Sequence, residues 1–137
     1  LRVEMQTRTA TQLSENIKHH PAVLSLSYPG DRSHPQHELA SRQMSGSSTL
    51  IAFEVKGGRT GAFQFLNALG VIDISNNLGD SKTLACHPSS TTHMNLSEDE
   101  RQMLEINEGH IRLSVGLEHA DDLTADIQQA LDVCRGF

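Results

Sequence analysis

The chain alternates between segments in which apolar residues recur at helical spacing and segments with an extended pattern. The first segment is helical, with apolar residues at Val3, Ala10, Leu13 and Ile17. The pattern stops before Pro21, whose ring disfavours a helical conformation in the residue that precedes it. We therefore predict a helix over residues 2–19.

Four further helices are predicted downstream. One covers residues 34–44. Another follows the Gly57-Gly58 turn and buries an apolar stripe, Ala62, Phe65, Leu66 and Leu69. Ser97, with Glu100 three residues later, has the spacing of a capping box at a helix start. The last helix begins among acidic residues, which the positive end of a helix dipole favours, and buries Leu123, Ile127, Leu131 and Cys134.

Four segments have the pattern of strands. Three of them alternate, with Leu24, Leu26 and Tyr28 against Ser25 and Ser27, Ile72 and Ile74 against Asp73 and Ser75, and Ile111, Leu113 and Val115 against Arg112 and Ser114. The fourth, residues 49–55, is rich in β-forming residues. Strands with one apolar and one polar face are typical of a sheet that helices cover on one side. We predict an α+β domain with a mostly antiparallel sheet of about four strands, helices on one face, and a polar face that meets water or another domain.

Length and charge fit one soluble domain over residues 1–137. The net charge of −6 is spread without long blocks of one sign, which argues against a nucleic-acid or membrane surface. Cys86 and Cys134 lack Cys-x-x-Cys spacing, which favours reduced thiols in a cytoplasmic protein. No apolar run approaches the roughly 18 residues of a membrane helix, and the first residues do not have the pattern of a signal peptide.

The longest stretch without a predicted helix or strand, about residues 76–96, holds the most distinctive motifs. It begins Asn-Asn-Leu-Gly-Asp and continues through Lys82, His87-Pro88 and Thr91-Thr92-His93. Arg112 follows in the run Arg-Leu-Ser-Val-Gly. Long ordered loops often carry function, so these residues are the first candidates for a site.

In this order, the motifs resemble the C-terminal domain of the pyridoxal-phosphate-dependent enzymes of cysteine and methionine metabolism. That family includes cystathionine synthases and lyases, methionine γ-lyase and the homoserine sulfhydrylases. The resemblance runs essentially end to end and takes in residues 28–30, 34–40, 43–46 and 53–58. It implies the small C-terminal domain of a fold-type-I enzyme that uses pyridoxal 5'-phosphate, and a homotetramer for the full-length protein.

The asparagine pair points to a subgroup of that family. Cystathionine synthases and lyases have Glu-Ser before Leu-Gly. Sulfhydrylases that use acylated homoserine are more similar to this chain, and the resemblance is greatest to those that make homocysteine from O-succinylhomoserine and sulfide in methionine biosynthesis. O-acetylhomoserine sulfhydrylase, cystathionine γ-synthase or lyase, and methionine γ-lyase remain alternatives. The acyl donor (succinyl or acetyl) and the co-substrate (sulfide, a thiol or cysteine) stay open.

Arg112 is the leading candidate for a binding residue. Its strand neighbours Ile111 and Leu113 are predicted to face the core, so the guanidinium stands on the polar face. A guanidinium can make two parallel hydrogen bonds to a carboxylate. Periodicity alone also fits a surface arginine paired with a nearby acid. The resemblance implies that Arg112 binds the α-carboxylate of the amino-acid substrate.

Asn76, Asn77 and Thr92 are the other substrate-binding candidates. An asparagine pair that leaves a strand often caps a turn by bonding to its own backbone, and the same side chains could face a ligand. The resemblance implies that both asparagines, and Thr92 of the Thr-His pair, support the site at Arg112.

No catalytic residue is predicted in this chain. In the family a lysine in a Ser/Ala-x-Thr-Lys context holds the cofactor, whereas Lys18, Lys56 and Lys82 lie in other contexts. Because the chain also starts at Leu1 rather than methionine, we expect a C-terminal lobe whose N-terminal lobe is missing, inactive and free of cofactor by itself. A free-standing amino-acid-binding or regulatory module is the alternative.

Neither a metal site nor a phosphate-binding loop is predicted. His34 and His37 could share a helix face, but Pro35 lies between them and no third ligand is suitably spaced. Gly57-Gly58 lacks the further glycines and the Lys-Ser/Thr pair of phosphate-binding motifs.

Overall fold

A computed structural model describes residues 1–137 as a five-stranded sheet with its main helices on one face. In chain order the elements are α1 (Arg2–Ile17), β1 (Val23–Ser27), α2 (His37–Gln43), β2 (Leu50–Val55), α3 (Gly58–Ala68), β3 (Asp73–Ile74), β4 (Leu84–Cys86), α4 (Glu98–Met103), β5 (His110–Ser114) and α5 (Ala120–Asp132). All five predicted helices are present, and the capping box of Ser97 and Glu100 is formed at the start of α4. None of the helices combines the length and apolar composition that crossing a membrane requires.

The sheet has the strand order β1-β2-β5-β4-β3. Every neighbouring pair is antiparallel except β3 and β4, which run parallel. The predicted α+β class with a mostly antiparallel sheet is therefore confirmed. Since β5 occupies the middle of the sheet, the Arg112 side chain starts from its centre.

One strand was not predicted. The segment Leu84–Cys86 forms β4, although the sequence pattern placed it in an irregular region. All three residues of β4 are buried, so the strand carries no alternation of polar and apolar positions to reveal it. The sheet consequently has five strands rather than about four.

The core lies between one face of the sheet and the helices α1, α3 and α5. Phe53 of β2 and Phe65 of α3 meet edge to face, with ring centroids 5.5 Å apart. Cys134 is buried in this core although it follows the end of α5. The prediction that Val3 belongs to the α1 stripe is wrong, because the buried face of the helix begins one turn later, at Gln6.

The opposite face carries no core helix, since α2 and α4 bury no residue. It is nevertheless not fully open. Leu84, Cys86 and Ser114 point to this face and are buried. The expectation that this face meets water or another domain therefore does not hold next to β4, where a loop of the chain lies against Ser114.

A β-bulge changes the predicted alternation of β1. Val23 pairs with Val55 and Ser25 with Glu54, so Leu24 is an extra residue without a partner. Leu24 is 55% exposed, whereas Leu26 packs against the core. The predicted inward position of Leu24 is thus wrong. The same holds for Ile74, which is 58% exposed on the edge strand β3.

Because of the bulge, Leu24 and Leu26 should contribute unequally to the stability of the fold. Leu24→Ser should change the free energy of unfolding by less than about 0.5 kcal/mol, as exposed substitutions usually do. Leu26→Ser should lower it by about 1 to 2 kcal/mol, because part of a side chain leaves the core. Urea unfolding of both variants measures the difference. Equal losses would mean that β1 pairs with β2 without the bulge.

Candidate functional site

Arg112 lies in the middle of the sheet on the face away from the core. Its neighbours Ile111 and Leu113 are fully buried on the other side, so the predicted orientation is confirmed. Across the sheet, Arg112 pairs with Ala52 of β2 and Cys86 of β4. Both are short side chains, which leave the half-buried guanidinium free to extend over them.

The guanidinium is only partly satisfied by the protein. Nη2 donates a hydrogen bond of 2.8 Å to the backbone carbonyl of Asn76. Nε is buried without any hydrogen-bond partner, and it is the only buried side-chain nitrogen or oxygen of the chain in that condition. Buried polar groups are nearly always paired, so this exception calls for an explanation.

The surroundings of Arg112 are otherwise neutral. No acid of the chain forms an ion pair with it, so the alternative of a paired surface arginine does not hold. Burial raises the pKa of the Cys86 thiol, with partial opposition from the charge of Arg112. Burial likewise lowers the pKa of His110, two residues away on the same face, with partial opposition from Glu54. Arg112 is therefore a cation beside a neutral thiol and a neutral imidazole at pH 7.

Asn76 and Asn77 lie in the β3–β4 loop, residues 75–83. Asn76 meets Arg112 through its carbonyl rather than its amide. The Asn77 backbone N–H donates to Ser75 Oγ, 3.2 Å away, which is a local turn contact. Both asparagines are exposed, and neither amide group makes a hydrogen bond within the chain. The structure brings the Asn76 carbonyl to Arg112, while the side chains of both asparagines are exposed to solvent.

Thr92 forms no hydrogen bond with this group. Its Oγ1 lies 2.8 Å from His93 Nδ1, and no hydrogen bond joins it to Arg112 or to the asparagines. Its neighbour Thr91 is closer to the sheet, since its Oγ1 donates to the His87 carbonyl at 2.7 Å and its side chain also contacts the Cys86 thiol.

Sequence reasoning missed two residues that contact the β3–β4 loop. Ser114 accepts a hydrogen bond from the Gly79 N–H at 3.0 Å, and Gln6 donates to the Asp80 carbonyl at 2.6 Å. Gln6 did leave a signal, because it is a polar residue four positions before Ala10 in a buried helical stripe.

The three lysines of the chain differ in their surroundings. Hydrogen bonds to Glu15 and Asp31 raise the pKa of Lys18, and the hydrogen bond to Asp73 raises that of Lys82, so both amines are held protonated. Lys56 lies in the turn after β2. No group of three or more His, Cys, Asp and Glu side chains is arranged to hold a metal ion. The site therefore offers one guanidinium with an unpaired N–H, and no metal-binding cluster accompanies it.

Comparison with known proteins identifies the family of this chain. Residues 1–132 match the model of the Cys/Met metabolism PLP-dependent enzymes. The chain belongs to this family. Members of the family are pyridoxal-phosphate-dependent lyases and transferases.

Curated members of the family match nearly the whole chain. It is 44% identical to O-succinylhomoserine sulfhydrylase of Pseudomonas aeruginosa over 133 residues, which is 96% of this chain and 33% of that protein. It is also 44% identical over 132 residues to L-methionine gamma-lyase of Treponema denticola, again 96% of this chain and 33% of the relative. The chain spans about a third of the length of the curated relatives it matches.

Solved structures of the family have the same fold. Cystathionine gamma synthase of Xanthomonas oryzae pv. oryzae, in complex with aminoacrylate and cysteine, superposes with a TM-score of 0.93 at 31% identity, over 98% of this chain and 35% of that one. A protein of Campylobacter jejuni named as an O-acetylhomoserine (thiol)-lyase, with an N'-pyridoxyl-lysine-5'-monophosphate residue, gives a TM-score of 0.91 at 37% identity, over 96% of this chain and 31% of that one.

Proposed function

We propose that this chain is the C-terminal lobe of a pyridoxal-phosphate-dependent enzyme and binds the α-carboxylate of its amino-acid substrate through Arg112. The supporting observation is the buried, unpaired Nε beside an Nη2 that the Asn76 carbonyl already engages. A carboxylate is the ligand that matches this donor best, because it can accept two parallel charge-assisted hydrogen bonds.

The energetics favour the same ligand. Leaving a buried donor unpaired costs about 1 to 3 kcal/mol, and more when the group is charged. A bound carboxylate would offset that cost. No acid of the chain competes for Arg112, and the neighbouring Cys86 thiol adds no negative charge while burial keeps its pKa raised. The site is therefore a cation held ready for an anion from outside the chain.

For the reaction, we propose the exchange of succinate for sulfide on O-succinylhomoserine. The C–O bond at the γ carbon breaks, a C–S bond forms, and homocysteine and succinate are the products, as methionine biosynthesis requires. Asn76-Asn77 before Leu-Gly-Asp and the similarity to O-succinylhomoserine sulfhydrylases support this choice. The equal similarity to methionine gamma-lyases supports, as the second candidate, the elimination of a thiol from methionine.

The remaining parts of the active site are assigned to the rest of the protein. We propose an N-terminal lobe that holds pyridoxal phosphate on its own lysine and, from the family resemblance, a homotetramer. The polar face of the sheet around Arg112 would meet that lobe or the substrate. Thr92 and the amides of Asn76 and Asn77 would face the same space.

The substrate assignment is tested by assaying the full-length protein that contains this chain. With sulfide present, it should release homocysteine from O-succinylhomoserine with a higher kcat/KM than from O-acetylhomoserine. Methionine alone should yield little α-ketobutyrate. A preference for O-acetylhomoserine would show that the acyl donor is the acetyl ester rather than the succinyl ester. Efficient cleavage of methionine would show that the protein is a lyase rather than a sulfhydrylase.

A free-standing amino-acid-binding or regulatory module is the alternative from another class. The gene sequence upstream of Leu1 separates the two. An enzyme of this family needs a further domain of at least ordinary size with a cofactor lysine, whereas a module needs neither. A module would also have to bind an amino acid through Arg112 without any cofactor.

A further inference from the structure

The β3–β4 loop is held in place mainly by residues that lie outside it. Ser75 is half-buried, Asn76 to Lys82 are exposed, and the loop contains no helix or strand. At its centre Gly79 has a φ of 77°, a conformation that glycine adopts without strain. Such a segment is expected to be mobile unless its backbone is tied down, and the guanidinium of Arg112 by itself supplies only the contact to Asn76.

Two buried polar side chains supply the missing ties. Ser114 is 1% exposed and Gln6 is 2% exposed, although both are polar. Ser114 Oγ accepts the Gly79 N–H, and Gln6 Nε2 donates to the Asp80 carbonyl. Burying a hydroxyl or an amide is costly unless it is hydrogen-bonded, and the side-chain hydrogen bonds of these two residues go to the backbone of this loop.

The far end of the loop is fixed where it runs into β4. The Leu117 N–H donates to the Ser81 carbonyl at 2.8 Å, and Glu118 accepts from the Thr83 N–H at 2.8 Å. Gly116 permits this approach, because a Cβ there would lie 2.4 Å from the Lys82 carbonyl carbon. The loop is thus anchored at Ser81 and Thr83, while Ser114 and Gln6 contact its middle at Gly79 and Asp80.

We propose that Ser114 and Gln6 are positioning residues, which hold the β3–β4 loop against the sheet so that the Asn76 carbonyl orients Arg112 for a substrate carboxylate. This role rests on the proposed function of Arg112. It brings together Gln6 of α1 and Ser114 of β5, which lie far apart in sequence. Ser114 stands two positions after Arg112 on the same face of β5, so one strand carries both the anion-binding group and a support of the loop that orients it.

The test uses Ser114→Ala and Gln6→Met in the full-length protein, with O-succinylhomoserine and sulfide as substrates. Each variant should raise KM for O-succinylhomoserine about threefold to tenfold, the effect of one lost hydrogen bond, while kcat changes less than about threefold. Hydrogen exchange of amides 76–82 should accelerate, while exchange in β2 and β5 stays the same. Ser14→Ala is the matched control, because Ser14 is equally buried but bonds only to the Thr11 carbonyl in its own helix.

Coupling to Arg112 separates positioning from a general loss of stability. In an Arg112→Lys background, Ser114→Ala should add less than about twofold to KM, because the group that the loop orients is already gone. If Arg112→Lys itself leaves KM unchanged, the proposed function fails. If Arg112→Lys raises KM but Ser114→Ala and Gln6→Met do not, or if both of these variants lose the fold, the positioning role is overturned and the two residues are structural.

Discussion

Replacing Arg112 by lysine should reduce kcat/KM for O-succinylhomoserine by about tenfold to a hundredfold in the full-length protein. A charge-assisted hydrogen-bond pair is worth about 1.5 to 3 kcal/mol, and a lysine ammonium cannot present two parallel donors. The ammonium also cannot donate to the Asn76 carbonyl and to a ligand with the geometry that Nη2 and Nε provide. Cofactor content, measured by absorbance, should stay at the wild-type level, since no contact of Arg112 is assigned to the cofactor.

Arg42→Lys on α2 is the control for this substitution. Arg42 is exposed, forms no ion pair and lies outside the site, so its replacement should leave kcat/KM within about twofold. Thermal unfolding of Arg112→Lys should resemble that of the wild type, because the guanidinium stands off the core that Ile111 and Leu113 enter. If a folded Arg112→Lys protein kept the wild-type kcat/KM, the proposed role of Arg112 in substrate binding would be wrong.

The extent to which the sequence predicts the fold depends on how many faces of each element are buried. Strand β5 alternates visibly because helices cover one of its faces, whereas β4 is buried on both faces and leaves no alternation to detect. The Leu24 bulge was unpredictable for another reason. An extra residue shifts the strand by one position, and only the register with β2 reveals it.

The site was predictable only as far as it depends on local geometry. The face of Arg112 follows from the two-residue period of its strand. Its partner does not, because the Asn76 carbonyl is a backbone group 36 positions away, and backbone groups carry no sequence signal. The supports from Ser114 and Gln6 depend likewise on tertiary contacts, the latter across 74 positions.

The second large effect is expected at Asp126 of α5, which caps the backbone that follows α3. One carboxylate oxygen accepts from the Gly70 N–H at 2.7 Å, and the other accepts from the N–H groups of Val71 and Ile72 at 3.0 and 3.1 Å. Burial by itself would raise the pKa of this carboxyl, but the three backbone donors, helped by Gln129, lower it below the ordinary value of 3.8. The charged form is therefore the one that stabilises the fold.

Asp126→Asn should lower the free energy of unfolding by about 2 to 4 kcal/mol at pH 7. An amide keeps one acceptor oxygen and turns an NH₂ group towards one or two backbone donors, which are left buried and unpaired. Because the pKa is lowered in the folded state, the stabilisation by Asp126 is complete above pH 3.8 and is lost as pH falls below it. Urea unfolding should thus show the largest difference in the free energy of unfolding between wild type and variant near pH 7, and a smaller difference below about pH 4.

The control is Asp122→Asn. Asp122 lies one turn earlier and is exposed, so this substitution should change the free energy of unfolding by less than about 0.5 kcal/mol. A gap that stays constant down to pH 2.5 would show that the loss comes from packing rather than from the charged carboxylate.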